Sequence, residues 1–206
     1  MRQLIAVFVF LSGMITIQAQ SPDTGFFKEI RKYRILEARK FRNPRTSPIK
    51  DDSARTEFSG VEYFPADISI VVEAQMTRPD SAIPFEVGTS AGKIKRLVLY
   101  ATLTFELEGQ WLQLEAYKVL SSSPKKKNDD ELFLPFKDLT SGAETYGGGR
   151  YIDLEIPKSG NRIVIDFNKA YNPYCAYSAG WNCILVPEAN WVDVEIRAGA
   201  RGWLEH

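Results

Sequence analysis

Leu97-Val98-Leu99-Tyr100-Ala101-Thr102-Leu103-Thr104-Phe105-Glu106-Leu107-Glu108-Gly109-Gln110-Trp111-Leu112-Gln113-Leu114-Glu115-Ala116-Tyr117 decides how this chain folds. Leu97, Leu99, Ala101, Leu103, Phe105 and Leu107 recur at every second position, the spacing that puts side chains on one face of a strand. Glu108-Gly109 reverses the chain. Leu112, Leu114 and Ala116 then return on a second strand, with Trp111, Gln113, Glu115 and Tyr117 on its other side, so the pair reads as an antiparallel hairpin.

The same period extends outward. Ile68, Ile70, Val72, Ala74 and Met76 alternate with polar residues and predict a strand, followed by an Arg78-Pro79-Asp80 turn and a short extended piece from Ile83 to Val87. Further strands are expected at Leu132–Phe136, Tyr151–Ile156, Arg162–Phe167 and Trp191–Arg197, the second and third joined as a hairpin by the tight Pro157-Lys158-Ser159-Gly160-Asn161 turn. One helix is expected over residues 23–41, with Asp23 or Thr24 as cap and Phe26, Phe27, Ile30, Tyr33 and Ala38 mainly on one side. It stops before Asn43-Pro44, and residues 44–60 read as a polar connection. The run Ser121-Ser122-Ser123-Pro124-Lys125-Lys126-Lys127-Asn128-Asp129-Asp130 holds no apolar residue and reads as a surface loop. The fold class is mostly β, an antiparallel sandwich or open barrel with one N-terminal helix, in a single domain over 21–206.

At the N-terminus Arg2 precedes the apolar run Leu4-Ile5-Ala6-Val7-Phe8-Val9-Phe10-Leu11, and small residues lead to Ala19-Gln20. This is the pattern of a signal peptide over 1–20, which predicts an exported, periplasmic or secreted protein with no membrane span after processing. Leu204-Glu205-His206 resembles the junction of a purification tag. His206 is the sole histidine in 206 residues, so histidine-based triads and histidine metal sites are excluded and acid–base work falls to carboxylates, Lys, Tyr or Cys. The 26 basic and 26 acidic residues cancel, giving no pull toward nucleic acid. Cys175 and Cys183 are the only cysteines, and an even count in an exported chain predicts a disulfide between them. Two thiolates alone do not complete a structural zinc site, and nothing in the sequence calls for a cofactor.

Two polar segments depart from ordinary strand and turn. One is Glu144-Thr145-Tyr146-Gly147-Gly148-Gly149-Arg150-Tyr151 and the other Asp166-Phe167-Asn168-Lys169-Ala170-Tyr171-Asn172-Pro173-Tyr174-Cys175-Ala176-Tyr177. Both sit at strand ends, where a scaffold presents side chains. Three consecutive glycines mark close backbone approach, to a ligand or to the protein's own core, and a strand rather than a helix follows them, so they are not a nucleotide loop. The ligand-binding candidates are Thr145, Tyr146, Gly148, Arg150, Asn168, Tyr171 and Asn172. Asp138, Glu144 and Asp166 are weaker catalytic candidates. With Asp153 they can converge for glycoside-type acid–base chemistry, or, with Asn168, for calcium. The competing reading is a buried network that fixes the loops. Arg150 is expected to pair with Asp166 or lie near Asn168, with Tyr146 and Asn172 facing one concavity. Trp111, Trp181, Trp191 and Trp203 are scattered, and each is a possible stacking surface for a sugar or a core residue.

These two segments closely resemble the signature of a bacterial family catalogued as domain of unknown function 1684. Ser47-Pro48, Phe58, Gly60, Tyr63-Phe64-Pro65, Leu132-Phe133-Leu134-Pro135-Phe136-Lys137-Asp138-Leu139-Thr140-Ser141-Gly142 and Arg197-Ala198-Gly199 are similar too. The family's proline-rich stretch after the second cysteine is Ile184-Leu185-Val186-Pro187 here, with one proline. The resemblance implies that the polar loops form a shared site or folding device and supplies no activity. The functional expectation is a non-catalytic domain that binds a small ligand or glycan, with a carboxylate hydrolase acting on an envelope glycan or small ester as the alternative.

Overall fold

The computed structural model describes residues 22–120 and 130–202. The expected signal peptide, the lysine-rich loop at 121–129 and the tag-like end at 204–206 lie outside the described residues. Helix α1 spans Pro22–Arg42 and a short helix α2 spans Asp52–Glu57. Seven strands follow: β1 Val71–Thr77, β2 Pro84–Gly88, β3 Ile94–Leu107, β4 Gln110–Leu120, β5 Glu131–Phe136, β6 Arg150–Glu155 and β7 Arg162–Asp166. All seven belong to one antiparallel sheet, nearly closed into a barrel: six run in the order β6-β5-β4-β3-β1-β7, and β2 pairs with β3 off this path. The mostly β class with one main N-terminal helix is therefore the observed one.

The hairpin is the spine. β3 and β4 pair from Leu107↔Gln110 to Arg96↔Leu120, and Glu108 and Gly109 both take positive φ (50° and 79°) in the turn. The 14 residues of β3 are long enough to hold two partners in tandem along its other edge. β1 pairs with Thr102–Thr104 and β2 with Ile94–Val98.

One expectation about β3 is corrected. The register shifts between Leu99 and Ala101, so Tyr100 is an extra residue and the side-chain alternation inverts there. Ala101, Leu103, Phe105 and Leu107 point into the main core with Ala74, Leu114, Leu132, Ile152, Ile165 and Phe167. Leu97 and Leu99 point the other way, to a second cluster with Tyr117, Phe133 and Ile184. The six apolar residues therefore serve both faces of the sheet.

Three further differences from the sequence reading have physical reasons. The 44–60 connection contains α2, whose Asp51 cap accepts from Ala54 N–H at 2.8 Å; six residues with none buried leave no periodic mark. β6 and β7 are consecutive but stand at opposite ends of the sheet, with no ladder between them among the described residues. Trp191–Arg197 forms no strand. It begins alongside 137–139, through Val192 N–H to Lys137 O and Leu139 N–H to Val194 O (both 2.9 Å), and then its partners become side chains. Ile196 N–H donates to Asp138 at 2.8 Å, and Arg150 donates to the carbonyls of Ile196 and Ala198.

α1 lies across the outside of the barrel. Ile30 and Phe41 are buried, Tyr33 Oη donates to Lys169 O at 2.8 Å, and Phe41 stacks on Phe58 and meets Tyr177 edge-on. Phe27, in the expected stripe, is half exposed. Among the described residues no helix is long and apolar enough to cross a membrane.

Candidate functional site

The bulge in β3 builds the floor of a cleft. Because alternation inverts at Tyr100, Lys95, Leu97 and Leu99 share the outer face of the sheet with Tyr117 and Val119 of β4, Phe133 of β5, and Tyr151 and Asp153 of β6. α1 forms one wall with Tyr33, Glu37 and Lys40, and the 169–184 segment forms the other with Lys169, Tyr171, Tyr174, Trp181, Asn182 and Cys183. The space between is about 640 Å³, enough for a small organic molecule.

The aromatic wall is held before any ligand arrives. Trp181 Nε1 donates to Pro48 O at 2.7 Å, its ring meets Tyr174 edge-on at 4.9 Å, and Lys50 Nζ sits 4.8 Å from the ring centroid. Tyr151 Oη is fixed on Ile184 O, and Lys95 Nζ on Asn182 O at 2.8 Å. Asn182 thus spends its backbone carbonyl on Lys95, while its side-chain Oδ1 is shielded from solvent and has no partner among the described residues.

Asp153 is the polar centre. Tyr171 Oη donates to both of its oxygens at 3.1 Å. The carboxylate opens into the cleft, yet protein surrounds it on most sides. This burial raises its pKa above the usual 3.8, the Tyr171 hydrogen bond opposes the rise, and the charge of Glu131 adds to it. Tyr171 is pushed well up, first by its own burial and then by Asp153. Glu37 pairs with Lys40 on α1, and Lys169 lies 3.5 Å from Asp166.

The candidates named from sequence fall in several places. Asp138 and Arg150 are wholly buried and joined at 2.9 Å, so Arg150 pairs with Asp138 where Asp166 or Asn168 was expected. Burial lowers the Arg150 pKa and Asp138 opposes the shift. Asp166 accepts from Asn168 N–H at 3.1 Å and from its Nδ2 at 2.9 Å. Asn168, itself buried, clamps Asp67 through Nδ2 to its carbonyl (2.7 Å) and Oδ1 from its N–H (2.8 Å). Glu144 pairs with Arg197 at 2.8 Å. Thr145 is buried against Thr140 at 3.0 Å, and Asn172 is buried with Nδ2 on Arg201 O at 2.7 Å.

Tyr146 lines a smaller recess of about 220 Å³ with Glu144, Thr145 and Arg201. Gly148 lies beneath the Tyr146 ring, where a Cβ would come within 2.3 Å of it. The two polar segments do lie side by side, through the paired backbones of Tyr151 and Tyr171 and through Tyr146 Oη donating to Cys175 Sγ at 3.8 Å. Both reach the larger cleft, through Tyr151 of the first and Tyr171 and Tyr174 of the second, whereas Tyr146 opens on the smaller recess and Asn172 is buried. Of the seven ligand-binding candidates, Tyr171 lines the larger cleft. Tyr33, Glu37, Lys40, Lys95 and Asn182 were not legible as cleft residues. Asp153 and Trp181 stood out by type alone.

Cys175 and Cys183 are free thiols, which corrects the expected disulfide. The structure engages them differently: Cys175 N–H donates to Cys183 Sγ at 3.2 Å, and Cys183 N–H donates to Ser90 Oγ at 3.1 Å. Donation from the Cys183 thiol, and secondarily from Tyr146 and Ser90, holds the Cys175 pKa down at about 6 against its burial, and the same contact pushes Cys183 up. Tyr146 is pushed up to about 12, first by burial and then by Cys175.

A family model described as "Protein of unknown function (DUF1684)" matches residues 56–201. An uncharacterized protein from gene locus rrnAC0354 of Haloarcula marismortui, solved by solution NMR, is similar over 89% of this chain and 98% of its own. It is 35% identical, with a TM-score of 0.69. No curated protein matches the chain.

Proposed function

We propose that this chain, which belongs to the DUF1684 family, binds a small hydroxylated ligand, such as a sugar unit of an envelope glycan, in the cleft between α1 and the outer face of the sheet. The observation that carries the reading is Asn182 Oδ1. A shielded acceptor without a donor costs about 1–3 kcal/mol, and a ligand O–H removes that cost. Asp153 offers further acceptor capacity in the same cleft, and the Trp181–Tyr174 wall suits the C–H face of a sugar ring. The reading is of a non-catalytic binding or accessory domain. Export to the periplasm or beyond is part of it, supported by Arg2, the apolar run Leu4–Leu11 and Ala19.

The test is saturation-transfer NMR on the full chain with a panel of mono- and disaccharides. At least one sugar gives transfer, which disappears in Trp181→Ala, weakens in Asn182→Ala and persists in Glu144→Gln. Absence of transfer across the panel, or transfer indifferent to Trp181→Ala, refutes the reading.

One observation favours the alternative, a carboxylate hydrolase. Glu37 and Asp153 face the same open cleft from different elements, and Asp153 is biased toward the protonated form that a general acid needs. Turnover of aryl glycosides or small esters, abolished by Asp153→Asn and by Glu37→Gln, establishes this reading in place of simple binding.

A further inference from the structure

We infer that Cys175 and Cys183 form a two-thiolate site for one soft monovalent cation, with Cu(I) the ion whose chemistry the pair fits. The site is independent of the sugar reading, although Cys183 also faces the cleft. Each cysteine is fixed by its own backbone. Cys183 is clamped to the turn between β2 and β3, since its N–H donates to Ser90 Oγ at 3.1 Å and its carbonyl accepts from Ser90 N–H at 2.8 Å. Cys175 sits in the single helical turn Tyr174–Ala176, entered through Pro173, where its N–H reaches Cys183 Sγ at 3.2 Å. Tyr146 Oη donates to Cys175 Sγ from the other side. Both sulfurs are therefore placed together, each has a donor that stabilises negative charge on it, and both residues are half-buried rather than sealed.

Ligand count selects the metal. Among the described residues no group of three or more His, Cys, Asp or Glu side chains is gathered to hold an ion. Zinc, which takes four ligands in structural sites, is left incomplete. A filled-shell monovalent ion is satisfied by two soft sulfurs in near-linear array, and thiolates select Cu(I) among the first-row ions. Binding displaces the proton that the two sulfurs share and joins two thiolates and Cu(I) in a bis-thiolate complex of single negative charge, with no change in oxidation state.

The experiment uses the full chain, reduced with a phosphine and kept anaerobic, and titrated with Cu(I) against bicinchoninate. The expected result is one Cu(I) withdrawn from the chelator per chain, a new ultraviolet thiolate-to-metal band, and protection of both thiols from alkylation. Cys175→Ser and Cys183→Ser each lose the band while keeping the wild-type circular dichroism spectrum. Tyr146→Phe, which removes one supporting donor, weakens binding by about 10–100-fold. The inference is overturned if the chelator keeps its copper, if either serine variant binds as the wild type does, or if Zn(II) protects the thiols equally well at the same concentration. Should a serine variant misfold, the alkylation protection of the wild-type chain decides the matter alone.

Discussion

Arg150 Nη2 meets Asp138 Oδ2 at 2.9 Å with both side chains entirely shielded from solvent. The pair stands in for a missing piece of sheet. Asp138 accepts from Ile196 N–H, Thr140 Oγ1 and Ser141 Oγ, while Arg150 donates to the carbonyls of Ile196, Ala198 and Ala200. Ile196 N–H and the carbonyls of Ile196, Ala198 and Ala200 find their partners in two charged side chains.

Removing one member leaves the other charged and buried, and breaking such a pair typically costs about 3–5 kcal/mol. Asp138→Ala is expected to lose stability in that range by urea denaturation, because it also orphans Ile196 N–H. Glu144→Ala, which breaks an ion pair exposed at the surface, stays within about 1 kcal/mol of wild type. Equal losses in the two variants contradict this assignment.

The fate of these residues shows what a sequence carries and what it hides. The hairpin is legible because alternation and a Glu108-Gly109 turn are local properties. The bulge at Tyr100 is not, since both faces of β3 are apolar there: Leu97 and Leu99 alternate as smoothly as Leu103 and Phe105 while pointing to the opposite side. Val192, Val194 and Ile196 carry a strand's period, but Val192 and Val194 bond only to the short 137–139 stretch, and the partners of Ile196 are the side chains of Asp138 and Arg150, 46 and more positions away. The polar segments were visible as unusual, whereas the cleft depends on α1 crossing the sheet. Glu37 and Lys40 carry no mark of a site in the sequence and turn out to line its wall.

Asp153 gives a pH signature. Its pKa is raised in the folded protein relative to the usual 3.8, so between those two values the folded chain binds more protons than the unfolded one. Stability from this group is therefore fully present below about 3.8 and is lost as pH rises through the folded value. Asp153→Asn removes the titration. The wild-type melting temperature should fall relative to the variant as pH increases across that window and hold a constant offset above it. A constant offset at all pH values shows that Asp153 is not shifted.

Among the three consecutive glycines, Gly149 has the strongest structural demand. It takes φ of 87°, and a Cβ there would sit 2.6 Å from Val186 Cγ2 and 2.7 Å from Phe136 O. Gly147 has its nearest such contact at 3.4 Å and an ordinary φ. Gly149→Ala is expected to cost about 2–4 kcal/mol, combining left-handed strain with overpacking, and Gly147→Ala less than about 1 kcal/mol. Thermal melts of the two variants compare them directly; a reversed order removes the packing explanation for this loop.

Asn190 answers a defect in the sheet created by Pro135. β4 and β5 pair at Tyr117↔Phe133, and continuing that antiparallel register brings Glu115 opposite Pro135. Proline has no N–H, so Glu115 O cannot receive its ladder bond there. The side chain of Asn190, wholly buried, fills the gap: Nδ2 donates to Glu115 O at 2.9 Å and to Pro135 O at 2.6 Å, and Oδ1 accepts from Glu115 N–H at 2.8 Å. An amide is the one side-chain group of this size that donates twice and accepts once in this geometry. Asn190→Ala leaves three backbone groups unpaired, each worth about 1–3 kcal/mol when buried, and should cost at least about 3 kcal/mol in urea. Asn190→Asp keeps the shape but turns an ionised carboxylate toward two carbonyls. Its carboxyl is therefore held protonated in the fold, and stability is retained below the unfolded carboxylate pKa and lost as pH rises. Denaturation at pH 4 and pH 7 reads the difference: relative to wild type, Asn190→Asp is worse than Asn190→Ala at neutral pH and recovers on acidification. An Asn190→Asp penalty that ignores pH, or an Asn190→Ala penalty below about 1 kcal/mol, means the amide is not what joins β4 to β5.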